Sequence, residues 1–306
     1  MTLQQLRFLR EVVRHGMNIT EAAKSLCTSQ PGISKQLRLL EQELGVELLE
    51  RDHGRITALS KPGATILTIA ERMLKDASSL KQAAQDFTGG VNGELIVATT
   101  HTQARYALPA ALKRFALRHP KVSVQLRQGT TQQVSNLVRS SDADIAIATD
   151  ASAYFNDLAL IPCYSSARVV ITSPGHPLLK AKRLTLEHIA RYPLIAYDRE
   201  FAARQMLIQA FKDKRLTPNI VLSALDADVI KACVAMDLGI SILTKLAFDP
   251  RRDRNLRAID ASNLFAPSVT FIAFRRNSFL RRYMYDFMET FSPKLNRQAI
   301  DEAMVK

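Results

Sequence analysis

The sequence predicts an α/β protein in two unlike parts: a small helical head continued by a long helix, and a larger body in which strands and helices alternate. Three observations predict it. Within residues 1–61, apolar side chains recur at helical spacing in three short bursts and then give way to two short alternating runs. From Ile66 onward an apolar 4-3-4-3 spacing is sustained to Phe87. Beyond a joint at Gly89-Gly90, Asn92 and Gly93, β-branched runs of strand length alternate with helical runs. The 306 residues suffice for two or three domains, each with its own core. At 47% hydrophobic and 23% charged residues, the composition excludes wholesale disorder or a fibrous repeat.

In the head, residues 3–14 place Leu3, Leu6, Leu9 or Val12, and Val13 on one face, with Arg7, Arg10, Glu11 and Arg14 opposite. Asn18 is the expected N-cap of a second helix, with Glu21 at the capping-box position and Ala22, Ala23 and Leu26 as its small apolar face. After a turn at Cys27-Thr28, Thr28 or Ser29 caps a third helix that carries Pro31 in its first turn. Ile33, Leu37, Leu40 and Leu44 form its buried stripe, and Gly45 ends it. Two short helices joined by a tight turn form a helix-turn-helix, whose second helix fits the major groove of B-DNA.

The candidate DNA-binding residues are Thr28, Ser29, Gln30, Pro31, Ser34, Lys35 and Arg38, with the acids Glu41 and Glu43 at the far end of the helix. Glutamine can pair with adenine and serine with several base edges, while lysine and arginine hold phosphates or guanine. Residues 46–61 are expected as two strands around a turn at Asp52-His53-Gly54, a wing whose Arg51 and Arg55 join the candidate set.

Pro62-Gly63 is expected to break the chain before the long helix. Its seam, Ile66, Ala70, Met73, Ala77, Leu80, Ala84 and Phe87, has nothing local to cover it and predicts a homodimer; packing on the helix's own core is the competing explanation. In the body, strands are expected at 94–98, 122–128 and 144–148 around helices at 103–117 and 131–140. A second series follows at 167–173, 185–190, 194–197, 204–212, 220–223, 226–236 and 240–244. Two α/β lobes follow, with a ligand cleft at the carboxyl ends of the strands. Thr100, Thr102 and Gln103 follow the first strand and Thr149 ends the third. Their hydroxyls, amide and free N–H groups can hold an anion without a cationic side chain.

Composition and motifs bound the function. No run of 18 apolar residues occurs, and the charged amphipathic N-terminus lacks a secretory core, so a cytoplasmic protein with no membrane role is expected. Three scattered cysteines, Cys27, Cys163 and Cys233, fit neither a disulfide framework nor a zinc site and read as small buried hydrophobes. There is no nucleophile elbow, phosphate loop, dinucleotide fingerprint or paired histidine ligand. No catalytic residue, metal or cofactor is therefore expected, and the protein is not an enzyme. The net charge of +13 favours polyanionic partners, yet residues 1–87 hold 12 basic and 10 acidic side chains, so charge alone does not single out the head.

The segment Thr28-Ser29-Gln30-Pro31-Gly32-Ile33-Ser34-Lys35-Gln36 resembles the recognition helix of the LysR-type transcriptional regulators, and the match extends over essentially the whole chain. Within them, the run from Thr99 to Tyr106, the stretch Asp226-Ala227-Asp228-Val229-Ile230-Lys231, and the segments from Phe274 to Arg281 and Tyr283 to Phe287 are similar to the CysB-like group.

That resemblance implies a winged helix-turn-helix domain over 1–61 and a linker helix over 62–90. Two Rossmann-like lobes of periplasmic-binding-protein type follow, lobe I from 91–164 and 267–306 and lobe II from 165–266, with crossings near 164–167 and 265. It implies a homodimer or homotetramer on double-stranded promoter DNA, with RNA polymerase as a further partner. It also implies an acetylserine, sulfate or related effector in the cleft, and control of sulfur assimilation and cysteine biosynthesis. A regulator of sulfonate use with a different effector, or a cytoplasmic solute-binding protein, is the alternative. Ala202 stands where the group carries a threonine that would contact the effector from lobe II. Glu200 and Leu225 also depart from the pattern, which shifts the expected preference toward a larger or partly cationic ligand such as an O-acetylated amino acid.

Overall fold

The computed structural model describes residues 1–52, 54–87, 92–150, 152–276 and 278–305. The chain divides into two compact units, Met1–Gly90 and Val91–Lys306.

In the first unit, α1 (Leu3–Arg14), α2 (Ile19–Ser25) and α3 (Gln30–Leu44) pack Leu6, Leu9, Val12, Ala22, Ile33, Leu37 and Leu40 into one core. Each helix is started by a side-chain oxygen: Thr2 accepts from Gln5 N–H, Asn18 from Glu21 N–H, and Ser29 from Gly32 N–H. The turn between α2 and α3 puts Cys27 at φ +50°, and that cysteine is exposed. The expectation of three buried cysteines is corrected: Cys163 is buried, its thiol pushed up to about 12 by burial, and Cys233 is half-buried. Leu3, expected on the buried face, is exposed, because Gln5 and Phe8 complete that face instead.

Two antiparallel strands, β1 (Leu49–Asp52) and β2 (Arg55–Leu59), form the wing; the expected tip residue His53 lies outside the described residues. The long helix α4 (Lys61–Phe87) begins at Lys61, so Pro62-Gly63 is not a break. Pro62 sits in the first turn, where its missing N–H costs nothing, and the Ser60 hydroxyl accepts from Gly63 N–H at 2.9 Å. A Cβ on Gly63 would lie 2.0 Å from the Leu48 carbonyl oxygen, so only glycine lets α4 approach β1 this closely.

In the second unit, lobe I builds a five-stranded sheet in the order β4-β3-β5-β12-β6 from β3 (Gly93–Thr99), β4 (Val122–Gln128), β5 (Ile145–Thr149), β6 (Leu158–Ser166) and β12 (Ser268–Arg275). Its helices are α5 (His101–Tyr106), α6 (Leu108–Arg118), α7 (Thr131–Arg139), α11 (Arg282–Phe291) and α12 (Arg297–Val305). The single helix expected over 103–117 is thus two, divided at Ala107 with Pro109 opening the second.

Lobe II carries β7 (Arg168–Thr172), α8 (Leu186–Ala190), β8 (Leu194–Tyr197), α9 (Ala202–Asp213), β9 (Ile220–Ala224), α10 (Ala227–Ala235), β10 (Ser241–Thr244) and β11 (Arg257–Asp260). A parallel bridge between Leu194 and Ile240, with Ile195 N–H donating to the Ile240 carbonyl, joins its strands in the order β9-β8-β10-β7-β11. The two orders match strand for strand. In each lobe one strand, β12 or β7, runs against its neighbours, and it is the strand that has just arrived from the other lobe. The sheets are therefore mixed rather than purely parallel. The chain crosses at Ala167 and again between Asp260 and Ser268. The crossings are neighbours, since Ser166 pairs with Ser268.

Candidate functional sites: a recognition helix and an interlobe cleft

In the head, Thr28, Ser29, Gln30, Pro31, Lys35 and Arg38 are exposed and Ser34 is half-buried, all off the Ile33–Leu37–Leu40 stripe. Gln30 donates to Ser34 at 3.3 Å, which aligns two of the candidate base-reading groups on one surface. Arg55 is exposed on the wing.

Arg51 is placed differently from expectation. Its guanidinium lies 2.6 Å from Glu41, a carboxylate only 9% exposed that also accepts from Leu48 N–H and Leu49 N–H at 2.9 and 3.1 Å. Glu41 is therefore no solvated acid at the far end of α3. It ties the wing to that helix, and Arg51 neutralises it. Sequence could not reveal this because a buried carboxylate on a helix has no periodic signature.

The seam of α4 is likewise not uniform. Ala70 is buried and Ile66 and Met73 pack against the head core beside Leu67 and Leu74, so this half is covered by its own unit. Ala77 is half-buried, Ala84 is exposed and Leu80 is 74% exposed; the Phe87 side chain lies outside the described residues.

In the body, Thr100, Thr102, Thr131, Thr149, Asp150, Arg168, Tyr197, Phe201, Ala202, Ala203 and Thr244 line a cleft between the lobes. Its remaining cavity is about 40 Å³, close to the space of one water molecule. Contacts between the lobes hold it shut. Thr102 of lobe I and Tyr197 of lobe II are hydrogen-bonded at 3.1 Å. At the rim, Arg105 donates to Asp228 at 3.1 Å and the Tyr106 hydroxyl donates to the same carboxylate. Lys231, 3.1 Å from Asp228 and 3.0 Å from Asp253, sits 5.0 Å from the Tyr106 ring centroid. Burial and the bond to Asp228 push the Tyr106 hydroxyl up to about 12. For Asp228, burial opposes the charge, but hydrogen bonds from Tyr106 and Lys231 outweigh it and hold the carboxyl below its usual range. The TTHTQARY and DADVIK stretches thus meet each other across the cleft.

Of the expected effector residues, Thr100, Thr102, Thr149 and Ala202 line the cleft and Gln103 does not. Gln103 is fully buried within lobe I. Its amide donates to Thr149 and Thr270 at 2.8 and 3.0 Å, and its carbonyl accepts from Tyr164 at 2.5 Å. It fixes the Thr149 hydroxyl that faces the cleft. Ala202 lacks a hydroxyl, but it and Ala203 are the first residues of the 12-residue α9, which has no side-chain cap, so the helix start itself faces the cleft.

Glu200 and Leu225 are exposed and outside the lining, so neither of these departures from the pattern sets a side chain against the ligand space. The acid that does line the cleft is Asp150, and it is accompanied by the cation that sequence reasoning missed, Arg168. Arg168 is 3% exposed and paired through one terminal nitrogen with Asp150. A roomier groove of about 370 Å³ lies between β6 and α12, where Ser152, Asn156, Arg276 and Glu302 line it together with apolar side chains such as Leu158, Leu160 and Ala303. No converging hydroxyls make it a comparable site.

Among the described residues no group of three His, Cys, Asp or Glu is arranged to hold a metal, and no helix is long and apolar enough to cross a membrane.

Comparison with known proteins agrees with this architecture. The model for the bacterial regulatory helix-turn-helix protein, lysR family, matches residues 3–64, and that for the LysR substrate binding domain matches residues 88–295. The chain is 46% identical to the HTH-type transcriptional regulator CysB of Burkholderia cenocepacia over 304 residues, covering 99% of this chain and 97% of that one. It is equally 46% identical to the HTH-type transcriptional regulator SsuR of the same organism over 300 residues, covering 98% and 97%. Among solved structures, the cofactor-binding domain of the Cbl transcriptional regulator superposes with a TM-score of 0.67 at 35% identity, covering 71% of this chain and 95% of that one.

Proposed function

This chain belongs to the LysR family of helix-turn-helix transcriptional regulators, in its CysB-like part, and from that premise we propose that it controls sulfur-assimilation and cysteine-biosynthesis genes in response to a small oxyanionic metabolite. The metabolite, an acetylserine, sulfate or a related anion, enters between the lobes. The observation that carries this reading is the cleft itself: threonine hydroxyls from lobe I, the uncapped start of α9 from lobe II and a buried guanidinium converge on one point.

Each part has a physical role. The exposed start of α3 enters the major groove, where Gln30 and Ser34 reach base edges and Lys35, Arg38 and Arg55 hold phosphates. Leu80 and Ala84 pack against a second copy of the chain, which spaces two heads for two half-sites; pairs of such dimers form the tetramer, which recruits RNA polymerase. Because the closed cleft leaves about 40 Å³, an effector the size of an acetylated amino acid requires the lobes to part around their twin crossings. That motion changes how dimers meet and hence the DNA bend. The polyanion-binding role suits a cytoplasmic, non-catalytic protein.

The equal identity to SsuR supports one second reading, a regulator of sulfonate use with its own effector. Footprints and bend angles on promoters of cysteine-biosynthesis and of sulfonate-use genes, with and without acetylserines, sulfate, thiosulfate and adenylylsulfate, test both. Protection confined to one promoter class and altered by one metabolite supports the corresponding reading. Unchanged footprints and bends under every metabolite that binds would refute the switching mechanism.

A further inference from the structure

Arg168 opens β7, one residue beyond the first crossing, and lines the cleft while being 3% exposed. Its guanidinium offers five N–H donors. One terminal nitrogen is engaged by Asp150, whose carboxylate is itself oriented by Val269 N–H at 2.9 Å and by the Asp150 N–H bond to the Val269 carbonyl. The buried Nε–H finds no acceptor in the protein. A buried donor without an acceptor is costly, and the geometry of a guanidinium fork matches two oxygens of one oxyanion. The neighbouring groups fit the same ligand. Thr100 is buried and makes no capping bond, and the Thr149 hydroxyl is held in place by Gln103.

Resting on the reading of the cleft as an effector site, we propose that Arg168 is the specificity-determining cation of that site. It receives a carboxylate or sulfur-oxyanion oxygen on its Nε edge, while Asp150 holds the fork in register and, by its own negative charge, limits how tightly a purely anionic ligand is held. The pair thus sets the effector's charge class: Arg168 attracts, Asp150 restrains. Because Arg168 belongs to lobe II and Asp150 to lobe I, the ligand competes for the same guanidinium that bridges the lobes beside their crossings.

The test is titration of the full-length protein by calorimetry with sulfate, thiosulfate, O-acetylserine and N-acetylserine. Wild type is compared with Arg168→Lys and Asp150→Asn, with unliganded melting curves recorded for each. Lysine keeps the charge but loses the fork, so the anion that binds wild type is expected to bind Arg168→Lys at least tenfold more weakly. Asp150→Asn, which removes the restraining charge, is expected to bind purely anionic ligands several-fold more tightly. The four ligands separate an inorganic oxyanion from a carboxylate and a free from an acylated amine.

If the pair merely braces the lobes, both variants weaken binding alike and the proposal is overturned. Wild-type affinity in both variants overturns it too. If Arg168→Lys does not fold, Asp150→Asn alone decides by the direction of its shift. Failure of wild type to bind any of the four ligands refutes instead the effector reading on which the proposal rests.

Discussion

Arg51 was expected to touch DNA and is instead bound to the buried Glu41, so its replacement separates folding from DNA binding. In Arg51→Ala the Glu41 carboxylate keeps two backbone donors, Leu48 N–H and Leu49 N–H, but loses its counter-charge 2.6 Å away. Breaking a fully buried pair costs about 3–5 kcal/mol. The Arg51 side chain is 25% exposed and the two N–H bonds persist, which lowers the expectation to about 1–3 kcal/mol.

Glu41→Ala should cost more, about 3–5 kcal/mol, because it strands two buried N–H groups together with the guanidinium. Denaturant unfolding of the full-length protein, followed through the first transition sensitive to head variants, reads both values. The double variant should cost less than the two single costs added together. Measured under conditions where the head remains folded, the slope of log Kd against log salt should be unchanged in Arg51→Ala. In Arg55→Ala it should fall by about 0.9 for each phosphate that the missing guanidinium no longer neutralises. A structural role for Arg51 is refuted if Arg51→Ala leaves head stability within about 0.5 kcal/mol of wild type while lowering the salt slope.

Further outcomes follow from other parts of the head and the lobes. Gln30→Ala should relax base preference, with discrimination falling by about 1–3 kcal/mol at one position, and Lys35→Ala should weaken binding evenly across sequences; competition binding with substituted operators distinguishes the two. Gln103→Ala strands the hydroxyls of Thr149, Thr270 and Tyr164 in lobe I. It should lower the stability of the second unit by about 1–3 kcal/mol and weaken effector binding without touching the effector, as melting curves and calorimetry would register. Gly63→Ala forces a Cβ toward the Leu48 carbonyl and should cost the head about 3 kcal/mol, whereas alanine at exposed Ser78 should cost almost nothing. Asp228 is held below its usual carboxyl range, so its contribution is present above the unfolded value of about 4 and is lost as pH falls through the folded one. The melting temperature of the second unit should therefore drop on acidification, and Asp228→Asn should flatten that dependence; an identical acid profile in both would count against the rim latch.

The order of elements was legible in the sequence because each carries its own local code. Asn18 and Ser29 cap their helices, Gly45 ends α3 in the left-handed region at φ +70°, and alternating runs mark β3 to β5. What stayed hidden depends on partners distant in sequence. Arg168 and Asp150 are 18 residues apart, one opening a strand of lobe II and the other just past a strand of lobe I, and nothing in either neighbourhood announces that they meet. Gln103 sits at a helix start beside two lining threonines, yet helical rotation turns it into lobe I, and spacing alone did not resolve that. Along the α4 seam, periodicity reports an apolar stripe and not what lies against it, so it does not separate a dimer face from packing on the helix's own core. Its first half meets the head core, while Leu80 does not.

The matched strand orders of the two lobes place both interlobe segments side by side, clasped where the Thr244 hydroxyl meets Ser166 at 2.7 Å and the Ser268 hydroxyl meets Thr244 at 3.3 Å. A pivot of two adjoining strands resists sliding and twisting but yields to bending across its width. Small angular changes beside Ser166 are consequently multiplied, in proportion to distance from that pivot, into larger travel at Tyr106 and Asp228.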